Sequence, residues 1–258
     1  MRCRRISVGV LIAFLSAALA LGEADKPAPG TEIAGVAARP AMVIGFVGGY
    51  VKPDARAHST VQLAEHLRNS YPAGVYVKVF ENHHGDQAYK ELLRHLDSDH
   101  DGTLSPDEKR QARIIIFGHS WGASETITLA RKLEKDGIPV LLTIQVDSVS
   151  KSGENDAIIP ANVAQAANFY QPHGLVHGRP QIRAEDPDHT EIVGNFRFDY
   201  SANPVSCNGY PWFNHIFMRP HIEIECDPKV WTQVEALIET KLSPLVQASV
   251  IAGPVRAH

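Results

Sequence analysis

A glycine-bracketed serine, Gly118-His119-Ser120-Trp121-Gly122, directly follows the run R-I-I-I-F at Arg113–Phe117. Dense β-branched residues make that run a strand. The segment Ser124–Lys135, stopped by Gly137, reads as the helix after it. A serine between a strand and a helix must occupy a sharp turn, and the flanking glycines let the backbone pass without a Cβ clash. Such a turn lifts the hydroxyl clear of the sheet and aims a helix N-terminus at developing negative charge. The chemistry this suits is attack on a carbonyl carbon. A hydroxyl needs a base for that, and the base needs an orienting acid.

At an elbow of this kind the acid follows the serine and the histidine comes last. Two aspartates end strand-like runs after Ser120: Asp147 in L-L-T-I-Q-V-D and Asp199 in F-R-F-D. Placement at a strand's carboxyl end favours Asp147, with Asp199 as its competitor. For the base, His221 leads into the capped final helix, whereas His215 stands nearer the aromatic group Tyr210, Trp212 and Phe213. His221 is preferred because the helix would anchor the loop that carries it. The oxyanion pocket calls for the N–H after the serine, at Trp121, and one from the first strand–helix turn. Phe46-Val47-Gly48-Gly49-Tyr50 offers Gly49 or Tyr50 for the second.

A second constellation spans residues 97–108, D-S-D-H-D-G-T-L-S-P-D-E. Asp97, Asp99 and Asp101 fill positions one, three and five of an EF-hand loop, with Gly102 at six and Glu108 at twelve. Thr103 would contribute its carbonyl and Ser105 would act through water, so a structural Ca2+ is expected. An acidic surface turn that never fills is the bland alternative. The pair His83-His84 invites a zinc reading, but neighbours on an extended chain point opposite ways and no third ligand stands out by spacing. A loop lining the cleft is the simpler expectation there. No organic cofactor is indicated.

The elements that must position these residues alternate. Strands are expected at Ala41–Val47, Val75–Phe80, Arg113–Phe117, Pro139–Val146 and near Ile192–Phe198. Helices are expected from Ser59, with Gln62 completing a capping box, over Ala88–Leu96 and Ser124–Lys135, and from near Pro160. Asp227 and Pro228 open the last helix, in which Val230, Trp231, Val234, Leu237 and Ile238 recur at helical spacing. Near-continuous apolar strands alternating with helices point to an α/β fold, a mainly parallel sheet covered on both faces. Any cap over the site would come from residues 148–191.

Residues 1–20 read as an export signal: Arg2, Arg4 and Arg5, then a short apolar run, then Ala18-Leu19-Ala20. Residues 21–40 read as a linker and 41–258 as one domain. Of the 258 residues, 44% are hydrophobic and 21% charged, as in ordinary globular proteins. Removing the signal takes three arginines, leaving 22 basic against 29 acidic residues, a balance that argues against nucleic acid as a partner. It also removes Cys3, so a Cys207–Cys226 disulfide is expected in a secreted or periplasmic chain. No later stretch is apolar enough to span a membrane.

The motifs F-V-G-G-Y, I-I-I-F-G-H-S-W-G-A, V-D-S-V and H-x-x-I-x-x-D run from Phe46 into the final helix. Together they resemble an α/β-hydrolase of the lipase, esterase or thioesterase kind. The resemblance implies a Ser120–Asp147–His221 triad and hydrolysis of a small-molecule or lipid ester through an acyl-serine. One departure remains: in that family the acid more often follows the penultimate strand, which would point to Asp199. The alternative from another class is a calcium-dependent extracellular binding protein on a degenerate hydrolase scaffold.

Overall fold

The computed structural model of the protein describes residues 40–207, 210 and 218–251. The expected signal and all of the expected linker but Pro40, together with Trp212, Phe213 and His215, lie outside the described residues. Six strands form one sheet in the order β2-β1-β3-β4-β6-β8. They are β1 (Ala41–Val47), β2 (Val75–Glu81), β3 (Ile114–His119), β4 (Val140–Val146), β6 (Val163–Tyr170) and β8 (Glu191–Arg197). Every pairing in this sheet is parallel. Two short strands, β5 (Ile158–Ile159) and β7 (Arg183–Ala184), pair separately.

The apolar runs of β1 and β3 are buried along their whole length because helices cover both faces. Alternation sorts their side chains. Val43, Val47, Ile115 and Phe117 face a core shared with Val61, Leu67, Trp231, Val234 and Ile238. Met42, Ile44, Phe46, Ile114 and Ile116 face a second core with Leu92, Leu96, Ile127 and Leu133. The first layer is built by α1 (Ser59–Ser70) and α6 (Pro228–Ile251), the second by α2 (Gly85–Leu96) and α4 (Trp121–Lys135). Two short helices, α3 (Pro106–Arg110) and α5 (Arg219–Cys226), complete the described set. β1 lies between β2 and β3, so the chain turns to one side of it for β2 and to the other for β3. The carboxyl ends of β1 and β3 therefore flank a crevice where such sheets bind ligands.

Three local expectations need correction. The segment after Pro160 is strand β6, not a helix: it is hydrogen-bonded between β4 and β8, with Ala166, Ala167 and Phe169 buried. His221 lies on helix α5 rather than in a loop, with Pro220 in the helix's first turn. The capping box at Ser59 does not form; His58 is the N-cap residue, and Gln62 Nε2 instead donates to the Arg56 carbonyl. A capping box forms at Ser105 and Glu108 of α3. No helix among the described residues is long and apolar enough to cross a membrane.

Candidate active site

Ser120 sits between β3 and α4 with φ 59° and ψ −126°, a backbone conformation that costs strain for any residue with a side chain. The glycines around it are required sterically. A Cβ at Gly118 would meet the Gly122 carbonyl at 2.5 Å, and one at Gly122 would run into the Phe46 carbonyl. The turn is tied to the sheet by the Ser120 N–H donating to the Val146 carbonyl over 3.0 Å.

Ser120 Oγ is 2.8 Å from His221 Nε2, and His221 Nδ1 is 2.7 Å from Asp147 Oδ2. A carboxylate only accepts, so Nδ1 carries the ring proton and Nε2 is left to accept from the hydroxyl. Asp147 follows β4 with φ 45° and is fully buried. Its Oδ1 accepts from the Gln171 and Gly178 N–H groups at 3.1 and 2.7 Å, and Oδ2 also accepts from Gln171 Nε2 at 2.9 Å. Asp199, the competing acid, is half-exposed and pairs with His173 and Arg197 at 3.1 and 3.0 Å.

Trp121 opens α4, where the first N–H groups have no intrahelical partner. The turn after β1 abuts the serine: a Cβ at Gly48 would lie 2.9 Å from Ser120 Cβ. Gly49, Tyr50, Trp121, Ser120 and His221 line one cavity of about 640 Å³. Val51, Val149, Val176, Met218 and Ile222 supply its apolar wall. Tyr50 stands exposed at the mouth, edge-on to Trp121 with ring centroids 5.8 Å apart. The arrangement can activate a hydroxyl, hold a carbonyl carbon near it, and offer backbone N–H groups to an oxyanion. Parallel sheet, helical layers and serine elbow together make this the α/β-hydrolase fold.

Neither a protein-family model nor a curated protein matches this sequence. Solved structures with related architecture include a thioesterase from the prodiginine biosynthetic pathway in Streptomyces coelicolor. It is 12% identical with TM-score 0.41, over 83% of this chain and 97% of that one. An acetyl xylan esterase is 11% identical with TM-score 0.37, over 79% and 99%. An uncharacterised protein from Pseudomonas aeruginosa is 10% identical with TM-score 0.43, and this chain spans 40% of its length. What the site can do is therefore read from its own side chains.

Several groups at the site had no signal in the sequence. Gln171 and Gly178, 24 and 31 residues from Asp147, hold its carboxylate. On the other side of Ser120, Glu225 is buried between two imidazoles: His58 Nδ1 is 2.9 Å from Oε1 and His119 Nδ1 3.4 Å from Oε2. His119 Nε2 lies 3.3 Å from the His221 carbonyl oxygen, and the two rings are 4.7 Å apart. Burial raises the Glu225 carboxyl above its ordinary range. Burial, then the neighbouring His221, holds His119 well below its own. The motif's variable position thus links the serine turn to a buried carboxylate. Cys207 and Cys226 are joined in a disulfide, Cα atoms 5.6 Å apart, and Cys226 ends the helix that carries His221.

The 97–108 loop lies at the opposite, amino edge of the sheet, between α2 and β3. Asp97, Asp99 and Glu108 bring carboxylate oxygens within 4.8 Å of one another. Gly102 has φ 86°, and its N–H donates to Asp97 Oδ2. Asp97 Oδ1 is buried with no hydrogen-bond partner, an acceptor that a cation would satisfy. Other positions are turned inward. Asp101 Oδ1 accepts from Thr103, and Glu108 accepts from Ser98 and Ser105. The donor set fits a hard cation.

Proposed function

We propose that the protein is a serine hydrolase that cleaves carboxylic ester or thioester bonds. The observation that carries this reading is the unbroken hydrogen-bond chain Ser120–His221–Asp147 beside an apolar cavity. Ser120 Oγ attacks the acyl carbon while His221 Nε2 takes its proton. Asp147 keeps the imidazole in the accepting tautomer and stabilises the imidazolium. The carbonyl oxygen, now an oxyanion, accepts from the Trp121 N–H and from Gly49 or Tyr50. Collapse breaks the ester bond, and His221 returns the proton to the departing alcohol or thiol. Water, deprotonated by His221, then releases the acid and restores the serine.

An apolar cavity wall suits an aliphatic or aromatic acyl or alcohol portion, so the substrate class is a small-molecule or lipid ester. Calcium at Asp97, Asp99, Asp101, Thr103, Ser105 and Glu108 would clamp α2 to α3, remote from the bond being broken. A disulfide fits an exported chain, in keeping with residues 1–20 as a cleaved signal. The intact chain from serine to acid weighs against a binding scaffold that has lost its chemistry. Labelling with a fluorophosphonate probe, followed by a p-nitrophenyl ester series of rising acyl length, tests the proposal. The wild type should label and turn over esters, and Ser120→Ala should do neither. Full turnover by that variant would overturn the reading.

A further inference from the structure

Where β2 runs into α2, the chain brings Glu81, His83 and His84 together. Neighbouring histidines diverge on an extended strand, but this segment is not extended. The His84 N–H donates to the Glu81 carbonyl over 2.9 Å and closes a turn. The His84 carbonyl in turn accepts from the Gln87 and Ala88 N–H groups, fixing the turn to the helix. The two imidazoles end up 4.3 Å apart, centroid to centroid. His83 Nε2 is 3.2 Å from Glu81 Oε2, and one ligating atom from each residue lies within 4.8 Å of the others. Around a tetrahedral ion with bonds of about 2.0–2.2 Å, donor atoms stand roughly 3.3–3.6 Å apart. Small side-chain rotations suffice to reach that spacing.

The cluster is also prepared for a ligand. Glu81 is mostly buried, and its other oxygen, Oε1, accepts from Lys52 Nζ at 2.9 Å. His83 is half-exposed, which leaves a path for an ion. Glu81 and His83 line a cavity of about 750 Å³ that shares Gly49, Tyr50 and Trp121 with the cavity over Ser120.

We propose that Glu81, His83 and His84 bind a borderline divalent cation of the Zn2+ class at the mouth of the cleft. Two imidazoles and a carboxylate match zinc, whereas calcium takes an all-oxygen shell. Three protein ligands leave a fourth position for water or a donor atom of an incoming molecule. Lys52 and the N-terminus of α2 both oppose a cation, so the site fills when metal is supplied and exchanges readily. The ion enters no step of the proposed hydrolysis.

Calorimetric titration of the full chain with ZnCl2, and separately with CaCl2, tests this independently of any activity. One saturable zinc event should appear in the wild type. His83→Ala, His84→Ala and Glu81→Gln should each weaken it at least about tenfold, a loss documented even for residues that only support a ligand. Glu108→Gln, at the distant 97–108 loop, should leave it unchanged. Thermal melts of the apo-variants matching the wild type would exclude misfolding as the cause. Absence of saturable zinc binding, or full binding by both histidine variants, would overturn the proposal.

Discussion

Gly178 donates its N–H to Asp147 Oδ1 over 2.7 Å, and any Cβ at Gly178 would collide with that same oxygen. The carboxylate that meets His221 is thus held by a residue that tolerates no side chain. Gly178→Ala should push Asp147 away from the imidazole. An overpacked buried site costs about 1–3 kcal/mol, and ester turnover should fall further than that loss of folded protein explains. Unchanged kcat in the folded variant would show that Asp147 has slack.

Asp147→Asn should lower kcat by about 10⁴-fold, because the amide favours the wrong imidazole tautomer. Asp199→Asn, which disturbs an exposed carboxylate that pairs with His173 and Arg197 and accepts from the Ser201 N–H, should stay within about twofold of wild type. Steady-state kinetics on one chromogenic ester decides between them. Equal losses would mean that Asp147 is not the orienting acid.

Glu225 faces His58 and His119, with Tyr210 Oη 3.0 Å from His58 Nδ1. Burial raises its carboxyl from 4.5, so the folded state favours the protonated acid. The associated stability is complete below about pH 4.5 and is lost as pH rises through the raised value. His119 is the mirror case. Its folded-state value lies well below 6.5, so its contribution is lost only as pH falls from there. Glu225→Gln removes the first effect alone. The Tm of the variant relative to wild type should therefore climb as pH increases from about 4.5. A difference that stays constant with pH would show that Glu225 keeps one charge state throughout.

Calcium at the 97–108 loop should stabilise the fold and leave the chemistry alone, since the loop enters β3 at the edge opposite Ser120. At about 100 times Kd, an ion that binds only the folded state adds about 2.7 kcal/mol. Chelation should lower Tm with kcat at room temperature preserved. Immediate loss of kcat without a change in Tm would contradict a structural role.

The Cys207–Cys226 bridge spans 19 residues and anchors the end of α5. A loop of that length contributes on the order of 3 kcal/mol by restricting the unfolded chain. The Cys207→Ser/Cys226→Ser pair should melt lower and should lose turnover because His221 sits on the freed helix. Identical melting with and without reductant would show the bridge adds nothing.

Local chemistry made much of this legible in advance. The β1 run is apolar and buried along its whole length, and β3 and β4 are mostly apolar and buried, because both sheet faces are covered, and the Gly-x-Ser-x-Gly turn admits only glycine at its flanks for steric reasons. Asp227 and Pro228 mark the start of α6, where the Asp227 carboxylate accepts from the Lys229 N–H. These signals act within a few residues, so they can be read along the chain.

Tertiary structure decided what depends on distant partners. The Ala-rich segment at 163–170 has helix-forming residues, yet it pairs with β4 and β8 because backbone hydrogen bonds and burial there outweigh propensity. Two strand-end aspartates looked alike until Gln171 and Gly178 closed around Asp147, leaving Asp199 in solvent. Glu225 finds His58 across 167 residues, and the turn after β2 gathers Glu81, His83 and His84 onto one side. Buried carboxylates are tolerated only with partners that replace water, and the fold alone determines which residues those partners are.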